Sequence, residues 1–285
     1  MKYYTFIFSL LIVSLISAQE LKPFRIDSLF GYKDTNGIIV IKPEFQYATK
    51  FYAGYAIVAK NEKFGAINNK NEKLLDFKYE FLKHLDSTEV LYGRRAEYFG
   101  EFFLGVLTLK GEIKVPDKYS YIEKKNNRYI VQIDDSKILS KDENGAFKTI
   151  QSKYGMLDLN GKELIPCLYH RIDWKTSNLL EVSKELNGNY ALFDKNGKQI
   201  TNFDYMVFGD VKNGLITTRI KNLFGIINEN GKIVVPIKFE YLSLIENKFY
   251  IIGKNRKYGA LNLNGKTVLK PKFEFEEVKE KMLQK

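Results

Sequence analysis

The chain has 285 residues, 45% of them hydrophobic and 14% aromatic, which is enough apolar material for a substantial core and too much for a globally disordered chain. Its formal net charge is +11, from 45 basic and 34 acidic residues. Only seven of the basic residues are arginine, and the lysines are spread along the chain rather than clustered. The sign favours acidic partners, while scattered lysine with scarce arginine argues against a specific nucleic-acid surface.

The first residues, MKYYTFIFSLLIVSLISAQE, have the layout of a secretory signal. Lys2 supplies the positive end, Tyr3 to Ile16 the apolar run, and Ser17-Ala18 the small residues before a cut. Cleavage after Ala18 would leave Gln19 first and remove only one of the 45 basic residues. The run is shorter than the ~20 residues a membrane span needs, and no later apolar run is long enough. The mature chain is therefore expected to be exported to the periplasm, the cell surface or the medium, and not to be an integral membrane protein. Cys167 is the only cysteine, so no internal disulfide supports the fold.

From there to about residue 275 one pattern returns. LFGYKDTNGIIVIKPEFQY (29–47), KYGMLDLNGKELIPCLYHR (153–171), LFGIINENGKIVVPIKFEY (223–241) and KYGALNLNGKTVLKPKFEF (257–275) are copies of one unit. Taking the small residue after the aromatic as position zero, the copies fall at Gly31, Gly65, Gly105, Gly155, Ala191, Gly225 and Gly259. The spacing is near 34 residues, with insertions near 86–103 and 122–152. A fixed period of that size marks a repeat architecture.

Each column has a physical reason. Position −1 is bulky and nearly always aromatic, which lets a ring pack beside the missing glycine side chain. Position +3 is Asp34, Asn68, Thr108, Asp158, Asp194, Asn228 or Asn262, and position +6 is Gly37, Asn71, Gly111, Gly161, Gly197, Gly231 or Gly265. That pair predicts a hairpin turn: a side chain that bonds backbone N–H groups at the first corner, and a residue tolerant of positive φ at the last. Five of the six prolines lie at +11 or +12, where a strand should end or bulge. Position +14 is aromatic in all seven copies. A β-rich stretch such as GYAIVAKNEKF (54–64) precedes each unit, so one repeat reads as three strands. Within the second insertion, Asp142 to Gly145 reads as the turn of a truncated repeat, and the stretch EFEEVKEKMLQK (274–285), which includes the tail 276–285, as one or two helical turns.

These columns resemble the WG-repeat (KWG) family of bacterial proteins over about residues 24–275. The segment FYAGYAIVAKNEKFGAIN (51–68) closely resembles the family's Phe-x-x-Gly-x-Ala-x-Val stretch. Phe and Tyr stand where the family has tryptophan, and the one tryptophan, Trp174, lies outside that column. The resemblance implies an all-β array in exported or surface proteins and no catalytic activity. The expected fold is thus a tandem array of about seven three-stranded antiparallel units in an open, solenoid-like arrangement. A closed, small-bladed propeller is the alternative.

Several constellations invite chemistry. Asp34-x-Asn36-Gly37, Asp158-x-Asn160-Gly161 and Asp194-x-Asn196-Gly197 echo the start of a calcium loop, but the third oxygen ligand and the closing glutamate are missing. Cys167 and His170 have a zinc-like spacing with no second pair, His84 being the one other histidine. Asp86, Glu89, Glu97 and Glu101 lie in the first insertion with Arg94-Arg95 and could form a binding surface; a carboxylate pair for glycoside hydrolysis is the weaker reading. The aromatic columns could stack sugars but read first as core. No catalytic, metal or cofactor residues are therefore assigned. The expected role is a non-enzymatic binding or scaffold protein of the cell envelope with a protein or glycan partner. The alternatives are a lectin-like binder of acidic glycans or lipopolysaccharide and, more distantly, a cell-wall polymer hydrolase.

Overall fold

The computed structural model describes residues 20–96, 102–134 and 152–284. The truncated repeat expected around Asp142 and the expected signal at 1–18 lie outside these residues. So do Glu97 and Glu101.

Among the described residues the chain forms seven antiparallel β-sheets, two of three strands and five of four, and one terminal helix. The first sheet comprises Lys22–Ile26, Leu29–Lys33 and Ile39–Phe45. The second comprises Tyr47–Ala48, Tyr55–Lys60, Lys63–Asn68 and Lys73–Tyr79. The third holds Phe81–His84, Glu89–Arg95, Phe102–Thr108 and Ile113–Tyr119. The fourth holds Tyr121–Lys125, Arg128–Asp134, Ser152–Leu157 and Glu163–Tyr169. The fifth has Arg171–Trp174, Leu179–Ser183 and Tyr190–Asp194. The sixth runs from Val207 to Phe239 and the seventh from Tyr241 to Phe273, each with four strands. The all-β repeat is as the sequence predicts. The fourth strand is additional, because the chain re-enters a sheet two residues after the +14 aromatic, as at Tyr47, Tyr121 and Tyr241.

The columns acquire their reasons from the register. In the sixth sheet Phe224 lies opposite Phe239 and Ile226 opposite Val235, so two extra residues bulge out of the third-to-fourth strand pairing, and Pro236 sits in that bulge. The first, second, fourth and seventh sheets repeat this, pairing Phe30 with Phe45, Phe64 with Tyr79, Tyr154 with Tyr169 and Tyr258 with Phe273. Columns −1 and +14 are thus cross-strand aromatic partners. The bulge turns a carbonyl onto position zero, where only glycine leaves room.

The hairpin turn is equally regular. Asp34 Oδ1 accepts N–H bonds from Asn36 at 2.9 Å and Ile38 at 2.8 Å, and the other six copies repeat the pair of bonds from the equivalent Asn, Thr or Asp. The fourth corner has positive φ throughout, as at Gly37 (+85°) and Asn71 (+64°).

The described chain divides into two compact units, one reaching Phe102 and including Val106–Ile113, the other comprising Phe103–Gly105 and everything from Lys114. Within each, successive sheets stack face to face. In the first unit Ala56, Val58 and Ile67 of the second sheet pack on Tyr32, Ile41 and Phe45, while Tyr55, Ile57 and Ala66 turn the other way onto Leu82, Val90 and Leu107. One strand, Tyr55–Lys60, therefore buries both faces, which explains its unbroken apolar run where a half-exposed strand would alternate. Each such aliphatic side chain contributes roughly 1.5–3 kcal/mol. In the second unit the fourth and fifth sheets share Ile165, Met156, Leu180 and Phe193, and the sixth and seventh share Ile226, Val235, Tyr250 and Ile252. The tail, expected to be a short helix, is helical over Phe275–Leu283 and lays fully buried Val278 over Phe249, Ile251 and Ala260.

Candidate functional site

A row of side chains crosses each regular sheet: the first residue of strand one, a residue of strand two, the −1 aromatic and the +14 aromatic. In the seventh sheet this row is Tyr241, Gly253, Tyr258 and Phe273. Gly253 lets the Tyr241 and Tyr258 rings close over it, with centroids 5.8 Å apart, and Phe275 completes the cluster. In the second sheet Ala59 serves the same purpose between Tyr47 and Phe64, whose rings are 5.5 Å apart.

The fourth sheet departs from this. Its row is Tyr121, Gln132, Tyr154 and Tyr169, with a long polar residue where the second, third and seventh sheets have Ala59, Gly93 and Gly253; the sixth sheet likewise has a long polar residue there, Arg219. Gln132 Nε2 donates to Asp134 Oδ1 at 2.9 Å, and Ser152 Oγ donates to the same oxygen. Beside this row, in the second unit, lies a groove of about 870 Å³. One wall is Tyr121, Glu123 and Tyr154; the other is His170, Arg171 and Asp173 from the first strand of the fifth sheet and its approach, with the loop Lys184–Glu185–Leu186 at its end.

Arg171 and Asp173 alternate with buried Ile172, so they share the exposed face of their strand and pair with each other. That bond is the main reason the guanidinium is held above its usual pKa. The Tyr121 hydroxyl donates to Glu123 Oε2 at 3.4 Å, and its pKa is raised first by burial and then by that carboxylate. Lys184 places its ammonium 4.6 Å from the Phe203 ring centroid. The lining carries three basic side chains, Lys153, Arg171 and Lys184, and three acidic ones, Glu123, Asp173 and Glu185. The groove is therefore charge-balanced, walled by two tyrosines and rich in both donors and acceptors, which suits an uncharged polar ligand or an extended chain.

The other candidates are placed as follows. Asp86 Oδ1 accepts from the backbone of Thr88 at 2.8 Å and Glu89 at 2.9 Å, so it shapes a turn, and Glu89 is buried. Arg94 and Arg95 are exposed at the end of the strand Glu89–Arg95. The first insertion is thus largely regular strand over its described part, where the sequence suggested an irregular binding surface. Asp34, Asp158 and Asp194 each commit one oxygen to two backbone N–H groups. His170 lines the groove; Cys167 is not among its lining residues, and burial first, then Glu163, pushes the thiol up to about 11. Trp174 packs against the core shared by the fourth and fifth sheets. The groove itself escaped sequence reading, since its two walls come from segments far apart in the chain that meet only when the fourth and fifth sheets stack.

Comparison with known proteins gives one family and several distant structures. Residues 30–64, 154–190 and 224–258 match the family described as WG containing repeat, and each segment runs from one position −1 aromatic to the next. No curated protein matches the chain. Among solved structures, a eukaryotic initiation factor is 10% identical with a TM-score of 0.35, covering 90% of this chain and 86% of its own. A Bacteroides caccae protein of unknown function is 13% identical with a TM-score of 0.23, covering 75% and 92%. A functionally unknown protein from Desulfotomaculum acetoxidans is 10% identical with a TM-score of 0.25, covering 87% and 94%. The repeat columns and stacked sheets thus include three segments similar to the WG-containing repeat family.

Proposed function

We propose that the protein is an exported, non-enzymatic binding protein of the bacterial cell envelope, whose stacked sheets hold the Tyr121–Tyr154 groove as its recognition surface. The observation that carries this reading is the groove of about 870 Å³ between the fourth and fifth sheets, bordered by Tyr121, Glu123, Tyr154, Arg171 and Asp173. Export is supported by the layout of residues 1–18.

The test is a pull-down from envelope extract with the purified protein, washed at low and high salt. Retention of one component through high salt, lost in a Tyr121→Ala/Arg171→Ala variant, is the expected result. Turnover of an envelope polymer that depends on a carboxylate would overturn the non-enzymatic reading.

A lectin-like role toward acidic glycans is the second reading, and the surplus of basic residues favours it. The balanced groove lining points such a ligand to another surface, and release at high salt would identify binding of that kind.

A further inference from the structure

The first repeat differs from the others on the face it does not share. In five of the later sheets the +2 residue and its cross-strand partner are a buried apolar pair: Ile67 with Ala56, Leu157 with Tyr129, Phe193 with Leu180, Ile227 with Ile216 and Leu261 with Tyr250. In the first sheet the same two positions are Lys33 and Lys22. Like charges directly opposite one another across strands destabilise a sheet. No ion pair to either lysine occurs among the described residues. Alternation places Phe24, Ile26 and Leu29 on this same face, with Ile39 next to Lys33 on the third strand. Ile26 is 49% exposed, Leu29 37% and Ile39 49%. Lys33 holds its ammonium 5.8 Å from the Phe24 ring centroid.

We propose that this outer face of the first sheet docks on an anionic lipid surface, the two lysines meeting headgroup phosphates and Phe24, Ile26, Leu29 and Ile39 entering the boundary below them. Both halves of the chemistry are needed. Lysines alone would serve any polyanion, and an apolar face alone would serve another protein face. A strip of aliphatic side chains with an uncompensated cation pair at one end matches the layered polarity of a membrane interface. At the other end of the chain the helix Phe275–Leu283 covers the terminal sheet, so the two terminal sheets are treated differently.

The experiment is flotation of the protein, purified after export, with vesicles of neutral phosphatidylcholine and with vesicles containing about one third anionic lipid. Binding to the anionic vesicles only, weakened at least about tenfold by Lys22→Glu/Lys33→Glu and reduced by Ile26→Ser/Leu29→Ser, is the expected result. The single variant Lys22→Glu is the discriminating one. It turns a repulsive cross-strand pair into an attractive one, so its melting temperature should rise while its vesicle binding falls. Equal binding of wild type and variants, or binding to a soluble polyanion such as dextran sulfate as tight as to vesicles, would overturn the proposal.

Discussion

A Cβ added at Gly225 would lie 2.8 Å from the carbonyl oxygen of Val235, the oxygen that the bulge carrying Pro236 turns across the strand. The equivalent distances are 2.8 Å from Gly65 to the Leu75 oxygen and 2.7 Å from Gly155 to the Ile165 oxygen. Such an approach has no room for a methyl group, so glycine and bulge are one device, which proline joins at Pro166 and Pro236 but not in the second sheet, where Asp76 stands at that position. The fifth copy shows the converse. It has Ala191 at position zero, and its would-be fourth strand is reduced to isolated bridges, Tyr190 with Tyr205 and Phe193 with Gln199. Gly225→Ala should therefore destabilise the protein by about 1–3 kcal/mol, through displacement of the bulge. Chemical denaturation gives the number; an unchanged midpoint would mean that the bulge yields freely.

The turn aspartates separate a structural from a metal-binding role. Asp158 Oδ1 accepts N–H bonds from Asn160 and Lys162, and Asn228 and Asn262 make the same two bonds in their own copies. Asp158→Asn should leave stability within about 0.5 kcal/mol of wild type, while Asp158→Ala should lower it by roughly 1–2 kcal/mol. A calcium loop would respond in the opposite way to the first substitution, with a melting temperature that tracks added calcium.

His84 gives the protein a pH dependence of definite sign. Its Nε2 lies 3.0 Å from Thr49 Oγ1, its ring stands 4.6 Å from the Tyr55 ring, and burial lowers its pKa. A histidine whose folded pKa lies below the unfolded value of about 6.5 leaves the native state fully favoured above that pH. As the pH falls through 6.5 toward the folded value, the unfolded chain takes up the proton first and stability declines. The melting temperature should drop between pH 7.5 and 5.5, and drop less in His84→Gln. Parallel curves for the two proteins would remove His84 as the cause.

Cys167 should be a poor nucleophile. With its pKa pushed up to about 11 by burial, its thiolate fraction at pH 8 is roughly a hundredfold below that of an unperturbed thiol at 9.0. Alkylation by iodoacetamide should be slower than in the urea-unfolded chain by at least that factor. Equal rates would show that the thiol is neither buried nor suppressed.

Much of this fold is written in local chemistry. Asp or Asn at +3 and Gly at +6 announce the turn because both residues act within five positions of each other. What the sequence did not disclose depends on partners far along the chain. Gln46 and Glu240 at position +15 accept N–H bonds from Glu62 and Asn255, steadying hairpin turns with positive φ sixteen and fifteen residues on. That column reads as exposed polar residues with no fixed partner until the sheet is built. The strand that begins at +16 was missed for the same reason, since two residues such as Tyr47–Ala48 carry no periodicity. The groove is further still from the sequence: its walls come from Tyr121–Lys125 and Arg171–Trp174, strands of two different sheets.

Site-directed photo-crosslinking tests the binding groove most directly. A photoreactive phenylalanine placed at Tyr121, in the groove, is compared with one at Tyr47, which holds the same row position in the second sheet beside the closed Phe64 ring. In intact cells the groove position should capture one defined envelope component and position 47 should not. Equal capture at both positions, or capture at Tyr47 alone, would contradict a recognition role for the groove.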